Sequence, residues 1–223
     1  MDRVLKFTRS FFETPLDLRS RILIFTAALM LIPTYFLPLW QMTLYSNQFP
    51  EGLELDIYSY KLEGGQTDNR DDLKEINSLN HYIGMRPLLD DDFTEFKWIP
   101  FVVGATALLA LRALVVGKMD KLVDLFILFT YFGGFSIWSF HQKLYVYGHN
   151  LDPTAAVKVP PFTPPLFGHQ TMANFEVYNY PALGSYFMSG VPVLLLLAMW
   201  LAYASWKKRQ AADMIAGVAK GEA

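Results

Sequence analysis

The sequence predicts an all-α integral membrane protein, with four transmembrane helices and a small mixed α/β cap built from two exported loops. Three observations carry that reading. Of the 223 residues, 52% are hydrophobic and only 18% are charged. The apolar residues are bunched into four stretches, each near the roughly 20 residues that a helix needs to cross a hydrocarbon core of about 30 Å. The basic and acidic residues then sort by sign between the segments that separate those stretches. This composition excludes disorder, and 14 Gly and 13 Pro without a period exclude collagen-like character. Zero cysteines remove disulfides, thiol nucleophiles and Cys-ligated clusters. A net charge of −2 provides no concentrated positive field, so no nucleic-acid partner is expected.

Residues 1–21 read as a cytoplasmic amphipathic N-terminus. Phe7, Phe11, Phe12, Leu16 and Leu18 alternate with Arg3, Lys6, Arg9 and Arg19, a pattern suited to an interfacial helix on an anionic leaflet. Residues 22–40 form the first span. Their apolar run is too long for a signal-peptide core, and Pro33, Tyr35, Pro38 and Trp40 do not resemble a cleavage site, so this is an uncleaved anchor. Residues 41–98 are the first exported loop. In it Leu53, Leu55 and Ile57 alternate with Glu54, Asp56 and Tyr58 as in a strand, and Gly64 and Gly65 interrupt the chain. Leu73, Ile76, Leu79 and Ile83 then recur at helical spacing, with Asp68 or Asn69 as N-cap and Gly84 as the stop.

Residues 99–116 are the second span, 117–121 a cytoplasmic turn and 122–140 the third span. Residues 141–182 are a second exported loop with five prolines between Pro153 and Pro165, expected to run extended and to drape over the first loop. Residues 183–204 are the fourth span and 205–223 a cytoplasmic tail. No internal repeat is visible.

Orientation follows from charge. With four spans both termini share a side, and that side holds 12 of the 19 Lys and Arg, including Arg19, Arg21, Lys118, Lys121, Lys207 and Lys208. The opposite side holds seven basic residues against 14 acidic ones, a net charge of −7. The expected location is a bacterial inner membrane with both termini in the cytoplasm and both long loops outside. Arg112 lies one turn from the cytoplasmic end of the second span, where it can snorkel.

All four histidines, His81, His141, His149 and His169, fall on the exported side or the outer end of a span. Imidazole and thioether are ligands that copper accepts in an oxidising compartment. His81 and Met85 are four apart, on one face if the helix continues through Gly84, and His169 precedes Met172 by three. A copper site from His81, His149 and His169 with Met85 or Met172 is therefore chemically sensible. The plainer reading is favoured: hydrogen-bonded histidines ordering loop junctions, with Gly84 and Gly148 supplying positive φ and Asn150 and Asp152 making Asx-turns before Pro153. Asp90, Asp91 and Asp92 read as a solvated acidic turn, because calcium loops alternate ligands with spacers. Asp124 suits the start of the third span.

No span carries a central acid, base or ion pair, which argues against a pump or proton-coupled transporter. Phosphate loops, hydrolase triads and HExxH motifs are absent from the sequence, so no enzymatic activity is expected. The spans carry small residues for close packing instead: Gly104, Ala107, Ala110 and Ala113 in the second, Gly133 and Gly134 in the third, Ser185 and Ser189 in the fourth. The third span also has an aromatic face suited to lipid, a quinone, a pigment tail or neighbouring helices.

The motifs Phe49-Pro50-Glu51-Gly52-Leu53, Leu79-Asn80-His81-Tyr82-Ile83-Gly84-Met85 and Tyr147-Gly148-His149-Asn150-Leu151-Asp152-Pro153 recur in one recognisable setting. With Pro164-Pro165-Leu166 and Ala173-Asn174-Phe175 they resemble a group of small four-span bacterial membrane proteins. That group is associated with gene neighbourhoods for nitrous-oxide reductase and copper handling. The resemblance covers residues 22–204 and implies a copper or electron-transfer context, without supplying catalytic residues. The expectation is a non-enzymatic accessory or scaffold subunit of a larger respiratory or photosynthetic membrane complex. Its partners would be membrane lipids, other integral membrane subunits and a periplasmic protein on the acidic cap. The alternative is a copper-handling accessory protein using the outer His and Met residues.

Overall fold

The computed structural model describes residues 8–67, 69–172 and 175–219. Arg3, Lys6, Phe7, Asp68, Ala173, Asn174 and Lys220 of the sequence reading lie outside them, as does the side chain of Met172. Among the described residues, four helices are long and apolar enough to cross a membrane, over Leu18–Tyr35, Glu95–Val116, Met119–His149 and Leu183–Ala212. A small antiparallel sheet accompanies them. Two compact units divide the chain: residues 1–31, 104–131 and 189–223 form one, and residues 32–103 and 132–188 the other.

The first unit contains helix α1, Leu18–Met30. Asp17 caps it, its Oδ1 accepting the Ser20 N–H at 2.9 Å, while its Oδ2 accepts the Ser205 hydroxyl at 3.3 Å. Burial pushes the Asp17 carboxyl up, but the hydrogen bonds from Ser20 and Ser205 and the charge of Arg19 outweigh it and hold the group below its ordinary 3.8. The Ser20 hydroxyl donates to the Ala198 carbonyl, so a fully buried hydroxyl is satisfied across helices. Backbone bonds then pair residues 14–16 with 117–119: the Leu16 N–H donates to Gly117 O at 2.8 Å and the Met119 N–H to Thr14 O at 3.0 Å. Ala110 and Ala113 are buried as the small-residue pattern predicts, together with Ile24, Leu122 and Leu195.

The second unit holds a five-stranded antiparallel sheet in the order β3-β2-β1-β7-β6. Its strands are β1 (Trp40–Tyr45), β2 (Leu53–Ile57), β3 (Leu62–Gly64), β6 (Gly168–Met172) and β7 (Phe175–Pro181). A two-stranded ribbon, β4 (Gln66–Thr67) with β5 (Arg70–Asp71), leads into helix α2, Asp72–Tyr82. Leu53, Leu55, Leu62 and Ile76 make the buried centre between sheet and α2, with Met42, Leu44 and Phe96 packed around it. The remaining helices are α3 (Glu95–Val116), α4 (Met119–His149) and α5 (Leu183–Ala219).

Several boundaries differ from the sequence reading, each for a physical reason. The first span, expected as helix through Trp40, stops at Met30. It then passes through a 3-10 turn at Pro33–Tyr35 and enters β1 at Trp40, because Pro33 and Pro38 remove backbone donors. The N-cap of α2 is Asp71, not Asp68 or Asn69. The third span does not end at Phe140: α4 continues to His149, and α5 likewise runs to Ala219. The second loop has neither helix nor strand over residues 151–167, with a turn at residues 153–154, and residues 168–172 and 175–181 form the paired strands β6 and β7.

One ion cluster fixes α2 to the sheet. Asp72 is 2% exposed; its Oδ2 accepts the Glu54 N–H at 2.8 Å and its Oδ1 meets Arg70 Nε at 2.6 Å. Arg70 also pairs with Glu51 and lies over the Phe49 ring. Arg70→Ala should therefore lower the melting temperature of the sheet unit, because it leaves a buried carboxylate without its cation. Thermal unfolding in neutral detergent, with hydrogen exchange to localise the loss, checks this. Asp17→Ala should cost about 1 kcal/mol through loss of the cap. Because the folded pKa of Asp17 lies below 3.8, its contribution is complete above that value and drains away as pH falls through the lower folded one. Melting curves of wild type and D17A should accordingly converge toward low pH.

Candidate functional site

Two features of the second unit bear on function: the junction where the two histidine motifs meet, and the outward face of the sheet. At the junction, α2 ends in a Schellman motif. Met85 N–H donates to Asn80 O at 2.8 Å, Gly84 N–H to His81 O at 3.2 Å, and Gly84 takes φ +78°. The helix thus ends at Tyr82, and His81 and Met85 do not share a helical face. Gly84 O accepts the Asp152 N–H at 2.8 Å and Tyr82 O the Val157 N–H at 3.0 Å, which joins the two motifs through backbone alone. Gly148 has no positive φ, contrary to expectation. It is needed because its carbonyl accepts the Phe162 N–H at 3.0 Å, an approach so close that an added Cβ would collide with Phe162 O. Asp152 makes its Asx-turn, with Oδ1 accepting both the N–H and the hydroxyl of Thr154. Those bonds hold the Asp152 carboxyl below its usual range, and His81 adds to the effect.

The histidines hold separate posts. His149 stacks on Tyr145 at 3.8 Å between ring centroids, with Nδ1 3.0 Å from the Tyr145 carbonyl. Its ring borders a shallow cavity of about 270 Å³ with Ile83, Asp152 and Lys158. His81 is exposed on the last turn of α2, and His169 sits on β6 against Tyr178. Among the described residues, no group of three or more His, Asp or Glu is placed to hold a metal ion. Gly133 and Gly134 have open space beside them and Ser189 is exposed, whereas the Ser185 hydroxyl donates to Leu39 O.

The outward face of the sheet is a unit that no single stretch of sequence announces. The register aligns Glu63, Asp56, Gln41 and Tyr180 in one cross-strand row and Glu54, Thr43, Tyr178 and His169 in the next. Tyr45 and Glu176 form a third. Because side chains alternate, this face is opposite to Leu53, Leu55 and Val177, which are buried. Glu54, Glu63, Glu176 and Tyr180 are exposed. Asp56 stands between them: Gln41 hydrogen-bonds its carboxylate, but Oδ1 is shut off from solvent and unpartnered. Burial, then the neighbouring charges of Glu54 and Glu63, push its carboxyl above the ordinary 3.8. The alternation Glu176, Tyr178, Tyr180 is present in the sequence; the proline-rich segment before it obscures the strand.

No family model matches the chain, and no curated protein matches it.

The raised pKa of Asp56 has a measurable consequence. Between 3.8 and the folded value the folded state holds a proton that the unfolded chain has lost, so stability falls as pH rises through that window. Asp56→Asn should flatten this part of the pH–stability profile. At pH 7 it should stabilise the unit by roughly 1 kcal/mol or less, since it relieves carboxylate repulsion and partial burial. Thermal melts of wild type and D56N from pH 4 to 7 test the sign.

Proposed function

We propose that the protein is a non-enzymatic accessory subunit of a larger bacterial inner-membrane assembly, respiratory or photosynthetic, and that its cap meets a partner outside the membrane. The observation that carries this reading is the outward sheet face, a continuous polar and aromatic surface tied by backbone bonds to neighbouring helix ends. Leu39 O accepts the Ala182 N–H at 2.9 Å and Pro38 O the Gly184 N–H at 2.9 Å, so the first donors of α5 are taken by the segment that becomes β1. A surface held in this way presents its side chains in fixed register, which lowers the ordering cost of docking.

Further support comes from charge and exposure. Seven basic residues against 14 acidic ones in the two loops suit export, and 12 basic residues beside the other span ends suit the cytoplasmic leaflet. Phe101, Leu108, Tyr131, Trp138 and Trp200, each at least 60% exposed, give the long helices the apolar exterior that lipid or neighbouring membrane subunits would cover.

Extraction from the native membrane in a mild detergent, with native mass measurement of the product, tests the proposal. The expected result is a complex in which this chain is present at fixed stoichiometry with other integral subunits. Recovery of a stable monomer without partner chains overturns it.

A further inference from the structure

From the cavity at the histidine junction, and independently of the accessory-subunit reading, we infer that the protein binds a free aliphatic α-amino acid there. The cavity holds about 270 Å³, just under the roughly 300–1,000 Å³ of pockets that take drug-sized molecules, so it suits a smaller one. Its walls are joined by backbone. The Gly84 carbonyl accepts the Asp152 N–H at 2.8 Å and the Tyr82 carbonyl the Val157 N–H at 3.0 Å. Pro153 and Pro161 stiffen the segment that closes it. A site built in this way is formed before its ligand arrives, which keeps the ordering cost of binding low.

Three polar side chains line the cavity, and each has unused capacity. Lys158 makes no ion pair or hydrogen bond among the described residues, so its ammonium is open to a carboxylate. Asp152 Oδ1 accepts the N–H and the hydroxyl of Thr154, at 2.8 and 2.6 Å, while Oδ2 has no partner among the described residues. These two opposite charges share one small cavity without pairing with each other. His149 has Nδ1 3.0 Å from the Tyr145 carbonyl. A carbonyl only accepts, so the neutral ring carries its proton on Nδ1 and presents Nε2, at its far edge, as an acceptor. Stacking on Tyr145, 3.8 Å between ring centres, holds that orientation.

The ligand class follows from what satisfies all three groups. A simple carboxylic acid would meet Lys158 but set its charge beside Asp152. A simple amine would meet Asp152 and His149 but face Lys158. The same lysine opposes a metal ion, and among the described residues no three His, Asp or Glu are placed to hold one. An α-amino acid carries both charged groups on one carbon. Its carboxylate pairs with Lys158, and its ammonium donates to Asp152 Oδ2 and His149 Nε2. The wall that remains, Ile83, Leu151, Val157 and Val159, is aliphatic and receives the side chain. With no Phe, Tyr or Trp in the lining and no second lysine or arginine, neither an aromatic nor an acidic side chain has a counterpart there.

The experiment uses the full chain in neutral detergent and equilibrium dialysis of tritiated leucine, with saturable binding of one leucine per chain expected. Isocaproate, which lacks the ammonium, and isoamylamine, which lacks the carboxylate, should each bind about fivefold more weakly, the effect of one exposed charge pair. Lys158→Gln should weaken leucine about fivefold yet strengthen isoamylamine, whose ammonium the lysine repels. Asp152→Asn should weaken leucine yet strengthen isocaproate; asparagine keeps the Oδ1 acceptor, so the turn at Thr154 persists. His149→Phe preserves the stack on Tyr145 and removes Nε2, so it should weaken leucine and leave isocaproate unchanged. Lys74→Gln, on α2 away from the cavity, should alter none of the three, and melting curves verify that each variant is folded. Absence of saturable leucine binding to folded wild type, equal affinity for leucine and both analogues, or variants that shift all three ligands alike overturns the assignment. None of these outcomes bears on the accessory-subunit reading, which stands or falls on the complex extracted from the native membrane.

Discussion

The pairing of β1 with β7 is the constraint on which the second unit depends. Six register pairs, from Trp40↔Pro181 to Tyr45↔Glu176, join segments separated by more than 130 residues. Without that ladder the sheet falls into a three-stranded meander and a separate two-stranded hairpin, and an isolated hairpin is marginally stable in water. The pairing also positions the start of α5. Because β1 starts within a few residues of the 3-10 turn and β7 ends at the first residues of α5, the Ala182 and Gly184 donors find the carbonyls of Leu39 and Pro38. The helix start is thereby satisfied by backbone instead of by a capping side chain.

Register then decides the two faces. A slip of one residue along β1 would exchange Met42 and Leu44 for Gln41, Thr43 and Tyr45. The buried centre of Leu53, Leu55, Leu62 and Ile76 prevents it, since each loses its contacts if the faces exchange. Asn179 fits the same logic. It is fully buried on the inner face, and its Nδ2 donates to Pro165 O at 2.7 Å, which attaches the proline-rich segment to the sheet. Asp72 acts in the same way beside β2, where one buried carboxylate serves a strand N–H and a guanidinium together. The apolar interior thus carries most of the burial, and two polar residues fix how the loops attach to it.

What is legible in the sequence is whatever depends on local periodicity. The long apolar runs announce the helices, the alternation of Leu53, Leu55 and Ile57 announces β2, and Gly84 announces the end of α2. The misses are non-local. β1 is missed: its first residue, Trp40, is taken into the first span and residues 41–45 into the loop, because periodicity alone underweights the effect of Pro33 and Pro38 on the helix. β7 is hidden because the proline-rich segment before it obscures the alternation of Glu176, Tyr178 and Tyr180 and because its partner β1 lies far away in the chain, and β6 pairs with β7 alone. At the histidine motifs the residue types are visible, but the reason for Gly148 is not. A close approach by Phe162 leaves no local trace, whereas a positive φ at a helix end does.

The outward face shows why such a surface escapes a reading that takes one segment at a time. Its members come from five strands, and no single strand contributes more than three of them. Only the register brings Glu63, Asp56 and Gln41 into a row. Placed there, Asp56 opposes stability: partly buried, beside two other carboxylates, with one oxygen unpartnered. A neutral amide opposite Gln41 would serve the sheet better, because it brings its own donors and no charge.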